Sequence, residues 1–299
     1  MKIGNVILDL DFYNENLSYS DGDVEETLLE IVKNSDNYTA ALLETDNWAI
    51  LYHLHKDREN ILSWYPFTGK EDVLEIGAGC GAITGLLAEK CGSVTCNDIS
   101  LRRSQINAYK NAKHDNIKIL VGNFTDIKLE EKFDVITLIG VLEYAASYMG
   151  TEHPYQDMLK KVKGMLKPDG KLMIAIENKF GLKYWAGCAE DHTGRLFEGI
   201  EGYPHTKEIR TFSKKELCSM LKEVGFAAHD FYYPLPDYKF PKVIYSEERL
   251  PNYGEIGNVV HNYDMERLKL FDETAVYNQL IKEDMFDFFA NSFLIIASI

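Results

Sequence analysis

Val73-Leu-Glu-Ile-Gly-Ala-Gly-Cys-Gly-Ala-Ile-Thr-Gly85 is the stretch whose reading decides the fold. Val73, Leu74 and Ile76 form a short apolar run suited to a buried parallel strand. Glu75 interrupts it with a charge, and Gly77, Gly79 and Gly81 follow at once. Ile83, Leu86, Leu87 and Ala88 then have helical spacing up to Lys90. In a strand, glycine turn and helix, backbone N–H groups and a helix N-terminus face a bound nucleotide. The glycines let ligand and main chain approach closely and tolerate positive φ. A turn with no ligand is the weaker alternative, because a charge in a buried strand needs a partner.

Two cofactor classes use such a turn. Read as Gly77-x-Gly79-x-x-Ala82 it fits the dinucleotide fingerprint. Read as Glu75-x-Gly77-x-Gly79-x-Gly81 it resembles motif I of the class I S-adenosylmethionine-dependent methyltransferases. Glu75 discriminates: a pyrophosphate has no use for a carboxylate there, whereas the cationic methionine end of S-adenosylmethionine does.

At 299 residues the chain accommodates one large α/β domain with insertions, or two small ones. Its 47 acids against 32 bases, a net charge of −15, argue against a nucleic-acid partner, which needs clustered Lys and Arg. The first residues lack the basic start and long apolar core of a signal peptide. No run approaches the roughly 18 apolar residues of a membrane span, so no membrane insertion is expected. Cys80, Cys91, Cys96, Cys188 and Cys218 form no C-x-x-C pair or Cys/His cluster. That scatter predicts reduced thiols, a cytoplasmic location and no metal site.

Residues 1–69 read as an N-terminal helical cap, with helical periodicity over Val24–Val32 and Trp48–Trp64 and a short strand within Ile3–Leu10. Its aromatic and basic residues either pack on the core or cover the cofactor, with Arg58 pairing the methionine carboxylate. Residues 70–299 read as the catalytic domain. Ser93 to Asp98 and Ile99 is a second strand ending in an acid, placed to accept hydrogen bonds from ribose hydroxyls; Ser100 is the better cap for the helix Leu101–Ala112. Ile117–Val121 is a third strand, and Phe133 to Gly140 a fourth. A helix over Tyr155–Leu166 leads to a turn at Lys167–Gly170 and a fifth strand to Ile176. Helix Ser213–Val224 precedes a sixth strand near Ala228–Tyr233, and Ser292–Ser298 is a seventh. Strands this apolar predict a mostly parallel sheet covered on both faces.

The combination resembles class I methyltransferases across residues 70–298 and implies a Rossmann-like seven-stranded sheet with an antiparallel last strand between strands five and six. By that resemblance Glu75, Gly77, Ala78, Gly79, Gly81, Asp98, Ile99, Asn123, Phe124 and Gly140 contact the cofactor. Asn123 stands where the family commonly has Asp, so its amide oxygen would meet the adenine amino group. Glu143 and Tyr144 follow the fourth strand, where methyl donor and acceptor meet in the family.

Two insertions, at about 177–210 and 234–291, exceed ordinary connection lengths of about 2–6 residues and predict the acceptor lid. The second includes a helix-like segment from Met265 to Phe289. Tyr184, Trp185 and Tyr203 are candidates to line the acceptor pocket. His192, with Asp191 beside it, is the candidate general base, against the alternatives that it contacts substrate without proton transfer or that both only hold a surface turn. Blocks around Glu177–Gly187, Glu190–Gly194 and Phe231–Tyr238 look like a bacterial subgroup met among surface-polysaccharide genes. The expectation is a methyltransferase acting at oxygen on a small-molecule or glycan-linked acceptor. The alternatives are an NAD(P)-linked oxidoreductase or epimerase, and an inactive nucleotide-binding module.

Overall fold

The computed structural model describes residues 1–17, 19–257 and 267–299. The chain divides into two compact units, Met1–Leu138 with Met165–Lys171, and Ile139–Gly164 with Leu172–Ile299.

The first unit contains β1 (Lys2–Ile3), β2 (Val6–Asp9), β3 (Asp72–Ile76), β4 (Ser93–Asp98), β5 (Ile117–Val121) and nearly all of β6 (Phe133–Ile139). Their order is β1-β2-β5-β4-β3-β6. From β2 onward every neighbouring pair is parallel. The central strand β3 is buried along Val73–Ile76, which is why its sequence is an apolar run rather than an alternation. The N-terminal hairpin β1–β2 is antiparallel, and Val6 and Leu8 face the core while Ile7 faces out. It extends the sheet beyond the expected core strands by pairing with β5.

Six helices accompany these strands: α1 (Val24–Asn34), α2 (Thr39–Glu44), α3 (Trp48–Leu54), α4 (Asn60–Ser63), α5 (Thr84–Lys90) and α6 (Leu101–Lys110). Leu28, Leu29 and Val32 of α1 form one apolar cluster with Ile50 and Leu54 of α3, Ile106 of α6 and Cys80 of the glycine turn. The N-terminal helices thus pack directly on the turn. The single helix expected over Trp48–Trp64 is in fact broken. His55 is extended, its Nδ1 accepts from the Asp57 N–H, and that bond starts a separate 3-10 turn over Lys56–Glu59.

The second unit contains β8 (Ala228–Leu235), β9 (Val243–Ser246), β10 (Ser292–Ser298) and half of β7 (Leu166–Glu177), whose first six residues belong to the first unit. Their order is β7-β10-β8-β9. The terminal strand β10 therefore lies between the fifth and sixth core strands, antiparallel to β8, as expected. With β1, β2 and β9 the described residues hold ten strands, not seven. β7 begins at Leu166 rather than Lys171. Lys167 is drawn into line by ion pairs to Asp72 at 2.8 Å and Asp134 at 2.7 Å, within the first unit.

The helices here are α7 (Ala145–Met149), α8 (Pro154–Met165), α9 (Leu182–Trp185), α10 (Lys214–Val224), α11 (Glu273–Lys282) and α12 (Phe286–Phe289). α10 opens with a capping box between Ser213 and Glu216. The continuous helix expected over Met265–Phe289 is replaced by α11 and α12, separated at Asp284, which has a φ of 54°; Met265 and Glu266 lie outside the described residues. Two asparagines tie the insertions together. Asn178 donates to the carbonyls of Phe288 and Ala290, and Asn291 accepts from the Lys183 N–H and donates to the Pro236 carbonyl.

Gly81 has a φ of 77°, and a Cβ there would lie 2.3 Å from the Asn107 side-chain oxygen. Gly81→Ala should destabilise the fold by about 1–3 kcal/mol, from strain at positive φ. Urea unfolding measures it, and an unchanged midpoint would contradict the packing described.

Candidate active site

The first unit carries the glycine turn between β3 and α5. Gly77, Gly79 and Gly81 have φ of 68°, 54° and 77°, a run of left-handed conformations that side chains resist. The turn is tied down by the Ala78 N–H, which donates to Asn97 O at 3.0 Å, and by the Gly81 N–H, which donates to Ala78 O at 3.0 Å. Asn97 in turn donates to the carbonyls of Leu120 and Gly122, so the ends of β4 and β5 are held in step.

Glu75 is buried at the end of β3. Its Oε2 accepts from the Thr84 hydroxyl at 2.6 Å and lies 3.4 Å from Cys96 Sγ. Thr84 accepts from Asn107 Nδ2 at 3.0 Å, and Asn107 accepts from Asn111 at 2.8 Å. Burial pushes the Glu75 carboxyl up to about 7, partly opposed by the hydrogen bonds from Thr84 and Cys96. An apolar site that raises a carboxyl this far favours a cationic group beside it.

Asp98 is buried at the tip of β4. Its Oδ2 accepts from the Gly79 N–H at 2.8 Å and its Oδ1 from the Ser100 N–H at 2.9 Å. Ser100 is the cap of α6, accepting from the Arg103 N–H. Ile99 is half-buried beside it, and Phe124 is buried after β5. Asn123 Oδ1 accepts from the Thr125 N–H at 3.1 Å.

Arg58 is buried, with its guanidinium 4.1 Å over the Tyr52 ring and Nη2 donating to the Tyr52 hydroxyl at 3.0 Å. A second arginine, Arg103, lies against the turn, with its Nη2 3.0 Å from where a Gly79 Cβ would be. The Tyr19 ring is 4.8 Å from the Arg103 guanidinium, and Asp21 is 3.8 Å from Nη2. Thr84, Asn107 and Arg103 were not legible as site residues. They occupy ordinary helix positions, and only the packing of α5 and α6 on the turn brings them there.

The second unit carries a buried polar cluster. Gly140, with a φ of 69°, follows β6, and a Cβ on it would meet the Tyr238 hydroxyl at 2.8 Å. Glu143, in the 3-10 turn after it, is fully buried, and neither carboxyl oxygen has a hydrogen-bond partner among the described residues. Burial, then the nearby Glu177, pushes its carboxyl up to about 8.

His192 is also in this cluster. Its Nδ1 is 3.1 Å from the Tyr144 hydroxyl and its Nε2 is 3.6 Å from Glu177 Oε2. Burial disfavours its cationic form, but Glu177 and then Glu143 outweigh that and push it up to about 9. The expectation of a histidine titrating near the operating pH is therefore corrected: His192 holds its proton at pH 7.

The acid beside its ring is Glu177 at the end of β7, not its sequence neighbour Asp191. Asp191 accepts from Lys183 at 2.8 Å, from the Tyr184 hydroxyl at 2.5 Å and from Lys239. Burial would raise its carboxyl, but Lys183 and Lys239 hold it well below the usual range. Lys239 also reaches Glu177 Oε1 at 2.6 Å, and Lys183 lies 3.7 Å from Asp237. Burial likewise disfavours the Glu177 anion, yet Lys239 keeps it ionised.

Tyr203, in left-handed conformation with a φ of 62°, donates to Glu190 and contacts the Thr211 hydroxyl at 2.7 Å. Glu190 accepts from the His192 and Thr193 N–H groups and so holds the His192 loop. Tyr184 is buried, while Trp185 is 40% exposed, edge-on to Phe289. Glu177, Lys183 and Lys239 went unrecognised in the sequence. The one local signal was an acid ending an apolar strand.

Residues 74–174 match a methyltransferase domain family. The chain is 28% identical over 169 residues to a demethylmenaquinone methyltransferase of Tropheryma whipplei, covering 53% of this chain and 67% of that protein. It is 36% identical over 90 residues to an rRNA adenine N-6-methyltransferase of Bacillus licheniformis, covering 30% of this chain and 31% of that one. A phosphoethanolamine N-methyltransferase from Haemonchus contortus, solved with phosphoethanolamine and S-adenosylhomocysteine, superposes with a TM-score of 0.52 at 16% identity. That match covers 93% of this chain and 48% of the other, and it speaks to the fold.

Fold, matched domain and cradle together define the class: a class I S-adenosylmethionine-dependent methyltransferase. S-adenosylmethionine is its cofactor, and the three left-handed glycines with Glu75 and Asp98 at the strand ends form a cradle that fits it. The dinucleotide reading of the turn and the inactive module are set aside.

Glu143 and His192 bind protons more tightly folded than unfolded, where their ordinary values are 4.5 and 6.5. Their stabilisation is complete below those values and is lost as pH rises through about 8 and 9. Glu177 and Asp191, held low, lose theirs in acid. The melting temperature should therefore fall between pH 7 and about 9.5, and Glu143→Gln should flatten that fall. Differential scanning calorimetry across pH 5–10 checks it; a melting temperature that rises toward pH 9.5 rules out these protonation states.

Proposed function

We propose that the enzyme transfers the methyl group of S-adenosylmethionine to a hydroxyl of a small-molecule or glycan-linked acceptor, in the cytoplasm of a bacterial cell. The observation that carries this reading is the buried cluster of the second unit. Glu143 has two carboxyl oxygens without hydrogen-bond partners among the described residues, next to a Glu177–His192 pair. Burying such a group uncompensated costs roughly 1–3 kcal/mol, so a ligand that bonds it is favoured.

The charges around it favour a neutral hydroxyl over an ammonium acceptor. With Glu143 and His192 protonated, Lys183, Lys239 and His192 balance Asp191, Asp237 and Glu177, so the cluster in that state offers an ammonium no unpaired anion. A net charge of −15 supports an acceptor other than nucleic acid. The absence of disulfides among the five cysteines agrees with a reducing compartment. No helix among the described residues is long and apolar enough to cross a membrane.

In this reading the cofactor supplies an already activated electrophilic methyl group. The chain holds it through the glycine turn, with Glu75 toward the methionine ammonium and Asp98 toward the ribose. Asn123, Phe124 and Ile99 serve the adenine end, and Arg58 the methionine carboxylate. The acceptor's proton passes to His192 in its neutral form, which is populated as pH rises toward about 9, with Tyr144 and Glu177 holding the ring. Glu143, Tyr144, Tyr184, Trp185 and Tyr203 contact the acceptor. Holding the reacting atoms about 3–3.5 Å apart in line then suffices for much of the rate.

Glu75→Ala should weaken S-adenosylhomocysteine binding at least about tenfold, a loss of about 1.4 kcal/mol, measured by calorimetry. Affinity equal to wild type would remove Glu75 from the cofactor site. His192→Ala should lower kcat by about 10²-fold or more with cofactor affinity unchanged. Methyl transfer to hydroxylated acceptors, scored by S-adenosylhomocysteine release, provides the assay; transfer to amines alone would refute the oxygen assignment.

A further inference from the structure

Glu143, Glu177 and His192 converge: one ligand-capable atom from each lies within 4.8 Å of the others. Glu143 and Glu177 are fully buried, and the His192 side chain is 8% exposed. Both Glu143 carboxyl oxygens and His192 Nε2 lack hydrogen-bond partners among the described residues, and Glu177 Oε2 is 3.6 Å from that nitrogen. We propose that these three side chains form a site for a first-row divalent transition ion, held by a carboxylate oxygen of each glutamate and by His192 Nε2.

The donor set decides the class of ion. Two carboxylates with an imidazole suit Mn²⁺ or Zn²⁺ better than the all-oxygen shells of Ca²⁺ or Mg²⁺. Three ligands spread around one such ion at about 2.1 Å lie about 3.4–3.6 Å apart; Glu177 Oε2 and His192 Nε2, 3.6 Å apart, already match, and the Glu143 oxygen, within 4.8 Å, needs to close by no more than about 1.4 Å. The surroundings are already those of a ligated histidine. The Tyr144 hydroxyl meets Nδ1 at 3.1 Å, which fixes the ring with Nε2 turned toward the two acids. Lys239 takes Glu177 Oε1 and leaves Oε2 on the His192 side.

The lysines would oppose a cation if they were uncompensated, but Asp191 bonds both of them and Asp237 lies near Lys183. The ion displaces the protons that Glu143 and His192 otherwise hold, which leaves two glutamate anions and a neutral imidazole to bind it. The consequence for catalysis rests on the reading of this cluster as the acceptor end. A bound ion would ligate the acceptor hydroxyl and ease loss of its proton, with His192 as ligand rather than base.

The full-length protein, stripped with a chelator, is titrated with Mn²⁺ by electron paramagnetic resonance and with Zn²⁺ against a chromophoric chelator. The expected result is one ion per chain and a raised melting temperature. Glu143→Gln and His192→Gln should bind at least about tenfold more weakly, while still binding S-adenosylhomocysteine as proof of folding. X-ray absorption on the Zn²⁺-loaded wild type should show oxygen donors and one imidazole, with no sulfur, a readout that needs no variant. No saturable binding of either ion, equal binding by the variants, or sulfur ligation overturns the site. Stripped enzyme that transfers methyl groups at full rate with no ion bound overturns the ion's part in catalysis and leaves the methyltransferase reading standing. Ion binding by a protein that methylates no hydroxyl upholds the site while removing the acceptor reading.

Discussion

The Glu75 carboxyl, buried at the end of the central strand and held by the Thr84 hydroxyl at 2.6 Å, is the interaction on which the first unit depends. The same threonine accepts from Asn107, and Asn107 fills the space that a side chain on Gly81 would need. One short polar chain therefore joins β3, the glycine turn, α5 and α6. It explains why the turn holds three consecutive alternate glycines in left-handed conformation. The protein leaves a carboxyl in apolar surroundings, raised to about 7, where a cationic ligand lowers its cost.

The second unit repeats the principle with more charges. Asp191, Glu177 and Asp237 face Lys183, Lys239 and the protonated His192 in a buried set. Buried ion pairs of this kind add little net stability, but removing one partner costs about 3–5 kcal/mol, so they specify one arrangement strongly. What they specify here is the placement of His192 and Glu143. Asn178 and Asn291 do the corresponding work on the backbone, bonding carbonyls that the insertions would otherwise leave unpaired.

The core strands and helices after residue 70 were legible because each is a local pattern. Apolar runs marked the strands, a 3.6-residue period marked α5, α6, α8 and α10, and Ser213 with Glu216 marked a helix start. Where reading failed, a nonlocal contact had overridden local preference. Lys167 was drawn into β7 by Asp72 and Asp134. The N-terminal helix broke at His55, where a side-chain bond to Asp57 competed with helical continuation. β9 forms because β8 offers it an edge, which its own sequence does not reveal.

By itself the sequence determined the strand–turn–helix at Glu75–Gly81, the acid ending β4, and with them the class of enzyme and its cofactor. These are contiguous or fall within one βα unit, so residue order and spacing carry them. Only the tertiary structure decided which acid serves His192. Asp191 is adjacent in the chain but is turned toward Lys239, 48 positions away. The proximity of His192 to Tyr144 spans the same separation. Both pairings are made by loops whose course is set by packing and buried charge, and no periodicity along the chain encodes them.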